Sequence, residues 1–191
     1  YTNAGKSTLF NALTRASVFV EDRLFATLDA TTRQMVSRDR EMALVTDTVG
    51  FIRKLPHHLV ASFRATLEEL HEADLLLHVI DASHPSWEEQ REVVDDVVAD
   101  LGAHEKPMLY VFNKSDNLTP EEVAGLGTRV SHLFPNSVVV SSVTPDGLDP
   151  LREVLRERVR RFKPIVELRL GHEPVVHAVL LARTRRARGV R

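Results

Sequence analysis

Tyr1-Thr2-Asn3-Ala4-Gly5-Lys6-Ser7-Thr8 opens the chain, and this stretch decides the fold. It matches GxxxxGK[ST] in everything but the first glycine, which belongs one position before Tyr1. A strand should precede that glycine, so the chain reads as a fragment whose upstream part is not included. Successive backbone N–H groups from Asn3 through Ala4 to Ser7 can wrap a phosphate, helped by the positive end of the helix that follows. Gly5 permits close backbone approach. Lys6 supplies a point charge to the outer phosphates, and the Ser7 hydroxyl, followed by Thr8, is a hard oxygen ligand suited to Mg²⁺. An ordinary helix start is the competing reading, and the later motifs weigh against it.

Outward from this loop, apolar strands alternate with amphipathic helices. That is the signature of an α/β domain, here a three-layer α/β/α arrangement with a mostly parallel sheet, one antiparallel strand pair and its first strand missing. A helix is expected from Lys6 to about Ala16. Residues 35–37 and 43–46 read as a strand pair joined by the polar turn around Arg38-Asp39-Arg40. Leu59, Val60, Phe63, Leu67 and Leu70 recur at helical spacing. Residues 75–80 and 108–112 are continuous apolar runs that suit buried parallel strands, and residues 138–140 form a further strand. Ser86-Trp87-Glu88-Glu89 and Thr119-Pro120-Glu121-Glu122 both read as capping boxes that open helices. The first of these helices should stop at Gly102. Leu148, Leu151, Leu155, Val159 and Phe162 form the buried stripe of a closing helix.

The composition narrows the function classes. The 191 residues carry a formal net charge of −2, with 27% charged and 43% hydrophobic residues, which argues against a disordered chain and against coating nucleic acid by bulk charge. Cysteine is absent, so disulfides, thiolate metal sites and cysteine nucleophiles are excluded. No apolar run approaches the roughly 18 residues needed to cross a bilayer, and no charged-then-apolar leader opens the chain. A soluble, cytoplasmic protein is the expectation.

Three more motifs follow the phosphate loop in order: Asp47-Thr48-Val49-Gly50, Asn113-Lys114-Ser115-Asp116 and Ser141-Ser142-Val143. Ligands in open α/β sheets bind beyond the carboxyl ends of the strands, where these loops lie. The Asp47 carboxylate can hold a metal through water, and Gly50 can present its N–H to a γ-phosphate. Asp116 can accept two hydrogen bonds from N1–H and N2–H₂ of guanine, an edge adenine lacks. That discrimination is worth on the order of several kcal/mol. The Lys114 stem can lie over the ring, and Asn113 can tie this loop to the phosphate loop. Ser141, Ser142 and Val143 can close the pocket near the guanine oxygen, although a strand-end turn explains them equally well.

These motifs resemble the translation-factor-like GTPases, and most closely the HflX family of the Obg–HflX group. The likeness rests on the opening stretch through Leu9-Phe10-Asn11, on Leu24-Phe25-Ala26-Thr27-Leu28-Asp29, and on Asp47-Thr48-Val49-Gly50-Phe51-Ile52. Leu55-Pro56 and Ser62-Phe63 through Thr66-Leu67-Glu68-Glu69 extend it. The resemblance implies GTP and GDP as ligands, with Mg²⁺ held by Ser7, Asp47 and the first-switch Thr27. The residues alone do not separate Thr27 from Thr31 or Thr32. It implies Lys6, Thr27 and Gly50 as the groups acting on the phosphates, and Phe25, Ala26, Leu28 and Asp29 as neighbours of the nucleotide. It further implies a slow, partner-stimulated GTPase on the large ribosomal subunit that splits or rescues particles.

Two departures stand out: Ser142 where the family usually has alanine, and Asp29-Ala30 in place of Asp-Pro. Phe51 stands one residue after the DxxG tetrapeptide, where Ras-like enzymes use a glutamine to orient water. Unaided hydrolysis is therefore expected to be slow. Asn3 stands where potassium-activated GTPases carry asparagine, which makes K⁺ a candidate cofactor. Its alternative role is a side-chain-to-backbone bond that tightens the loop. Rival readings are a nucleotide-dependent binding module with incidental hydrolysis, and a related GTPase in ribosome assembly or RNA modification.

Pro164 is expected to break the closing helix. It would divide the chain into a G domain at residues 1–163 and the start of a truncated or atypical C-terminal region at residues 164–191. Arg183, Arg185, Arg186, Arg188 and Arg191 crowd the end. They read either as a contact to nucleic-acid phosphates or as a solvated tail. The missing first strand is expected to leave its two neighbours with unpaired backbone groups.

Overall fold

The computed structural model describes residues 4–14, 31–36, 42–47, 70–167 and 175–181. Helix α1 spans Lys6–Thr14, followed by strands β1 (Thr31–Val36), β2 (Met42–Asp47) and β3 (Leu75–Asp81). Then come α2 (Trp87–Asp100), β4 (Met108–Asn113), α3 (Pro120–Leu133), β5 (Ser137–Val139), α4 (Asp149–Glu167) and β6 (Val175–Leu181). The strands form one sheet in the order β1-β2-β6-β3-β4-β5. Among the described strands only the β1–β2 pair is antiparallel, with Thr31 opposite Asp47 and Val36 opposite Met42; the other neighbours run parallel. The expected strand pair is thus formed; at its outer ends β1 begins four residues before, and β2 ends one residue after, the stretches the apolar pattern marks.

β3 shows why the sheet is covered on both faces. Its seven residues are all buried, and side chains alternate across a strand. Leu75, Leu77 and Val79 join α1 and α4 in one apolar cluster, which includes Leu9, Phe10, Leu13, Leu151, Leu155 and Val159. Leu76 packs on the other face with Val94 and Val98 of α2, and Ile80 there joins Trp87, Phe112 and Val130. Helices therefore lie on both sides of the sheet, as the continuous apolar runs require.

The helix ends follow local chemistry, with two corrections to the sequence expectation. At α3 the capping box forms. Glu122 N–H donates to Thr119 Oγ1, Thr119 N–H donates to the Glu122 carboxylate at 2.8 Å, and Pro120 occupies the first turn. At α2 it does not form, because Ser86 has ψ 34° rather than an extended backbone and its hydroxyl caps nothing. The Ser86 N–H is instead satisfied by His84 Nδ1 at 3.1 Å. Helix α2 ends at Asp100 with Leu101 as its C-cap, and the chain turns away as expected at Gly102, whose φ of 70° glycine adopts without strain. The second correction concerns Pro164, which does not break α4; the helix continues to Glu167. A proline there forfeits one bond, to the Arg160 carbonyl, close to the terminus of a 19-residue helix.

The sixth strand was not foreseen. β6 lies between β2 and β3, parallel to both, with Ala178 opposite Val45 on one side and Leu75 on the other. The slot expected to stand open is occupied: β6 pairs with β2 over Met42–Asp47 and with β3 over Leu75–His78. Val175-Val176-His177-Ala178-Val179-Leu180-Leu181 is an apolar, β-branched run, the composition a doubly covered parallel strand needs.

Candidate nucleotide-binding site

The carboxyl ends of β2, β3 and β4 bring Asp47, Asp81 and Asn113 to one edge of the sheet. The amino end of α1 meets them there. Gly5 has φ 81°, and a Cβ at this position would collide with Asn113 Nδ2. The glycine is therefore required twice, by backbone conformation and by the closeness of Asn113. Leu9 N–H donates to the Gly5 carbonyl at 2.8 Å and starts the helix.

Lys6 and Ser7 both reach Asp47. The Lys6 ammonium is ion-paired with Asp47 Oδ1, and Ser7 Oγ donates to Oδ2 at 2.8 Å. Burial lowers the Lys6 pKa below its ordinary 10.5, and the Asp47 charge and hydrogen bond oppose that shift. The hydroxyl and the carboxylate supply the hard oxygen pair that suits Mg²⁺, an ion commonly bound through one or two carboxylates plus substrate phosphates. Among the described residues no group of three or more His, Cys, Asp or Glu side chains forms a self-sufficient metal cage.

Asn113 joins the two ends of the site. Its Nδ2 donates to the Ala4 carbonyl at 2.9 Å, while its Oδ1 accepts from Ser142 N–H at 3.1 Å and Ser142 Oγ at 2.9 Å. The side chain is fully buried, and its amide donor and acceptor are both used. Ser142, unlike alanine, adds its hydroxyl to this tie. Ser141 Oγ donates to Asp116 Oδ1 at 2.6 Å and accepts from the N–H groups of Val143 and Thr144. The Ser141-Ser142-Val143 triplet is thus the support that aims Asn113 and Asp116. Thr8 lies half-buried in the first turn of α1.

Asp81 is a member of this edge that the sequence motifs did not single out. Lys114 Nζ donates to its Oδ2 at 2.8 Å, and Ser83 donates to Oδ1 through both N–H and hydroxyl. Lys114 itself sits at φ 66°, a left-handed conformation uncommon for a non-glycine residue. The only signal for Asp81 was position, an aspartate closing an apolar strand as Asp47 does. Asn3, Phe25, Ala26, Thr27, Leu28, Asp29, Thr48, Val49, Gly50 and Phe51 lie outside the described residues.

The assembled edge can therefore present backbone N–H groups and an ammonium at one end and a positioned carboxylate at the other, with a hydroxyl–carboxylate pair near the ammonium. A family model described as 50S ribosome-binding GTPase matches residues 1–114. The GTPase HflX of Caldanaerobacter subterraneus subsp. tengcongensis is 46% identical over 173 residues, covering 91% of this chain and 38% of that protein. GTPase HflX of Escherichia coli strain K12 is 48% identical over 159 residues, covering 83% and 37%. The chain spans little more than a third of the length of these relatives. Among solved structures, the SsGBP–GDP complex superposes with a TM-score of 0.60 at 25% identity, covering 85% of this chain and 48% of that one. Aquifex aeolicus Era bound to GDP·AlF4⁻ gives 0.63 at 22% identity, covering 83% and 53%, a likeness of fold alone.

Proposed function

The chain belongs to the HflX family of GTPases, and from that premise we propose that it binds GTP and GDP with Mg²⁺ and hydrolyses GTP to GDP and phosphate. The observation that carries this reading is Asn113, whose one amide holds Ala4 of the phosphate loop and Ser142 beside the base-reading Asp116. Phosphate end and base end then form one preorganised site. Asp116 reads the guanine edge, and Lys114 packs its stem on the ring. Lys6 neutralises the β- and γ-phosphates. Ser7 and Asp47 hold Mg²⁺ with Thr27, and Gly50 offers its N–H to the γ-phosphate. The ion, when bound, neutralises charge that develops on the phosphate oxygens.

Phe51 can neither donate nor accept at the place where a water-orienting group is useful, so turnover by the chain alone is slow. The large ribosomal subunit is the partner that completes the site, in a cytoplasmic switch that splits or rescues ribosomal particles. Support comes from the family model's description and from the HflX relatives. GTP turnover measured with and without purified large subunits tests this; stimulation of at least tenfold is the expected result. Negligible turnover in both conditions would favour the second reading that Phe51 invites, a GTP-dependent binding module with incidental hydrolysis. A monovalent-cation role for Asn3 belongs to the same proposal. Potassium, but not sodium at equal ionic strength, should raise the rate, and Asn3→Ala should abolish the difference.

A further inference from the structure

Asp81 is a nearly buried carboxylate at the nucleotide edge, 8% exposed, and none of the phosphate, metal or base-edge roles falls to it. Burying an ionised carboxylate is costly unless its oxygens are bonded, and here both are. Oδ1 accepts from Ser83 N–H at 3.1 Å and from Ser83 Oγ at 2.7 Å, and Oδ2 accepts from Lys114 Nζ at 2.8 Å. The Ser83 bonds are local, within the turn that leaves β3. The Lys114 bond is not. It crosses from the end of β3 to the loop that follows β4.

The backbone holds both ends of that bond. Asp81 and Asn113 are register partners in the parallel β3–β4 pair, and Ala82 N–H donates to the Asn113 carbonyl at 2.9 Å. Lys114 follows with φ 66° and ψ 35° and opens the single helical turn Ser115–Asn117. Ser115 N–H donates to the Val140 carbonyl at 3.1 Å, and Asn117 N–H donates to the Lys114 carbonyl at 3.0 Å. The turn that carries Asp116 is therefore fixed, and the lysine beside it is fixed at its far end by Asp81. A lysine without such a partner is a compact charge on a flexible stem.

We propose that Asp81 is a positioning residue for the purine: by holding the Lys114 ammonium it stretches the methylene stem into a preformed apolar surface for one face of the guanine ring. The role rests on the guanine-nucleotide reading of the site. Asp81 acts through Lys114 and not on the nucleotide itself. It orders the stem before the base arrives, so that loss of rotamer freedom is not subtracted from binding. A surface that packs on a ring face is indifferent to the groups at the purine edge and to the number of phosphates. That separates it from Asp116, which reads the edge, and from Lys6, which meets the phosphates.

The test titrates the 191-residue chain with GTP, GDP and inosine triphosphate, whose base lacks the 2-amino group, in the presence of Mg²⁺. Asp81→Asn keeps the shape of the side chain and an oxygen for Ser83, and removes the charge that holds Lys114. It should weaken all three ligands by a common factor of about fivefold, leaving the ratio of GTP to inosine triphosphate affinity within twofold of the parent's. A general loosening of the base pocket would reach Asp116 and lower that ratio, which would overturn a role confined to Lys114. Lys114→Met keeps an apolar stem and cuts the same bond from its other end, so it should lose a similar factor. Asp81→Asn added to Lys114→Met should then cost no more than twofold further, and a full second loss would overturn the proposal. Thermal melting checks that each variant is folded at the assay temperature. Where Asp81→Asn is not, Lys114→Met decides alone: GTP affinity within twofold of the parent overturns the role, and a severalfold loss upholds it. A parent that prefers GTP to ATP, beside an Asp81→Asn chain of equal affinity, removes the positioning role alone. A parent that does not distinguish GTP from ATP removes the guanine reading and the role with it.

Discussion

Asp116 is exposed, yet its orientation is set, because Ser141 Oγ donates to one carboxylate oxygen at 2.6 Å while two backbone N–H groups hold that hydroxyl in place. A carboxylate so aimed can accept both the N1–H and the N2–H₂ of guanine. Asp116→Asn exchanges one acceptor for a donor, which suits the 2-oxo group of xanthine and not the amino group of guanine. GTP affinity should fall by at least about 100-fold, on the order of 3 kcal/mol for a lost charge-assisted pair, and xanthosine triphosphate should become the preferred ligand. Competitive titration with the two nucleotides checks this, and an unchanged preference for GTP would remove Asp116 from base reading. The sequence pattern was enough to anticipate Asn113 as a tie between loops, because an amide offers a donor and an acceptor on one short side chain. It was not enough to find Asp81. A lone aspartate at the end of Leu75–Asp81 has no motif around it, and its bond to Lys114 is created by the pairing of β3 with β4.

Two helices with the same opening pattern test what a local motif can specify. Thr119 has an extended backbone and both halves of its capping box, whereas Ser86 has neither the backbone angle nor the hydroxyl bond. Thr119→Ala should therefore destabilise the protein by about 1 kcal/mol, and Ser86→Ala should fall within about 0.5 kcal/mol of the parent. Urea unfolding of both variants measures the contrast directly. The pattern was identical in the sequence; what differed was His84, whose ring nitrogen took the Ser86 N–H. Strand β3 supplies a second case. His78 is buried against α2 and β4, with Nδ1 3.3 Å from Asp95 Oδ1, Arg91 alongside, and the Tyr110 ring centroid 5.5 Å away. Burial lowers its pKa below the ordinary 6.5; Asp95 opposes the shift and Arg91 adds to it. The unfolded chain then binds a proton that the folded chain refuses. Stability should hold above pH 6.5 and decline as the pH falls below that value toward the lower folded-state pKa. Urea midpoints at pH 7.5 and 5.5 should differ less in His78→Leu than in the parent; an equal drop in both would exclude His78 as the cause.

Strands β2 to β5 could be read from apolar runs and their spacing, because a parallel strand buried on both faces leaves a continuous hydrophobic signature, whereas the polar Thr31–Gln34 that open the antiparallel β1 gave none. The central strand beside β2 is the other exception, and it shows where such reading fails. Val175–Leu181 is, like Leu75–Asp81, an apolar run interrupted by one histidine, but such a run carries no record of which strands it will join. Its slot is chosen by the groups that β2 and β3 would otherwise leave unpaired, a property of the assembled sheet and not of the segment. If β6 completes the sheet, a proline inside it must be costly. Ala178 is flanked by Val45 and Leu75 in register, so Ala178→Pro removes a ladder hydrogen bond in an interior strand. A loss of about 3 kcal/mol or more is expected, a large share of the roughly 5–15 kcal/mol a domain of this kind holds. Ala187→Pro, in the tail beyond β6, should cost almost nothing and serves as the matched control. Circular-dichroism melting of the two variants beside the parent chain decides the matter. A markedly lower or non-cooperative transition for Ala178→Pro alone fits a sheet closed by its own C-terminal strand, and equal melting of all three chains would exclude β6 from the slot.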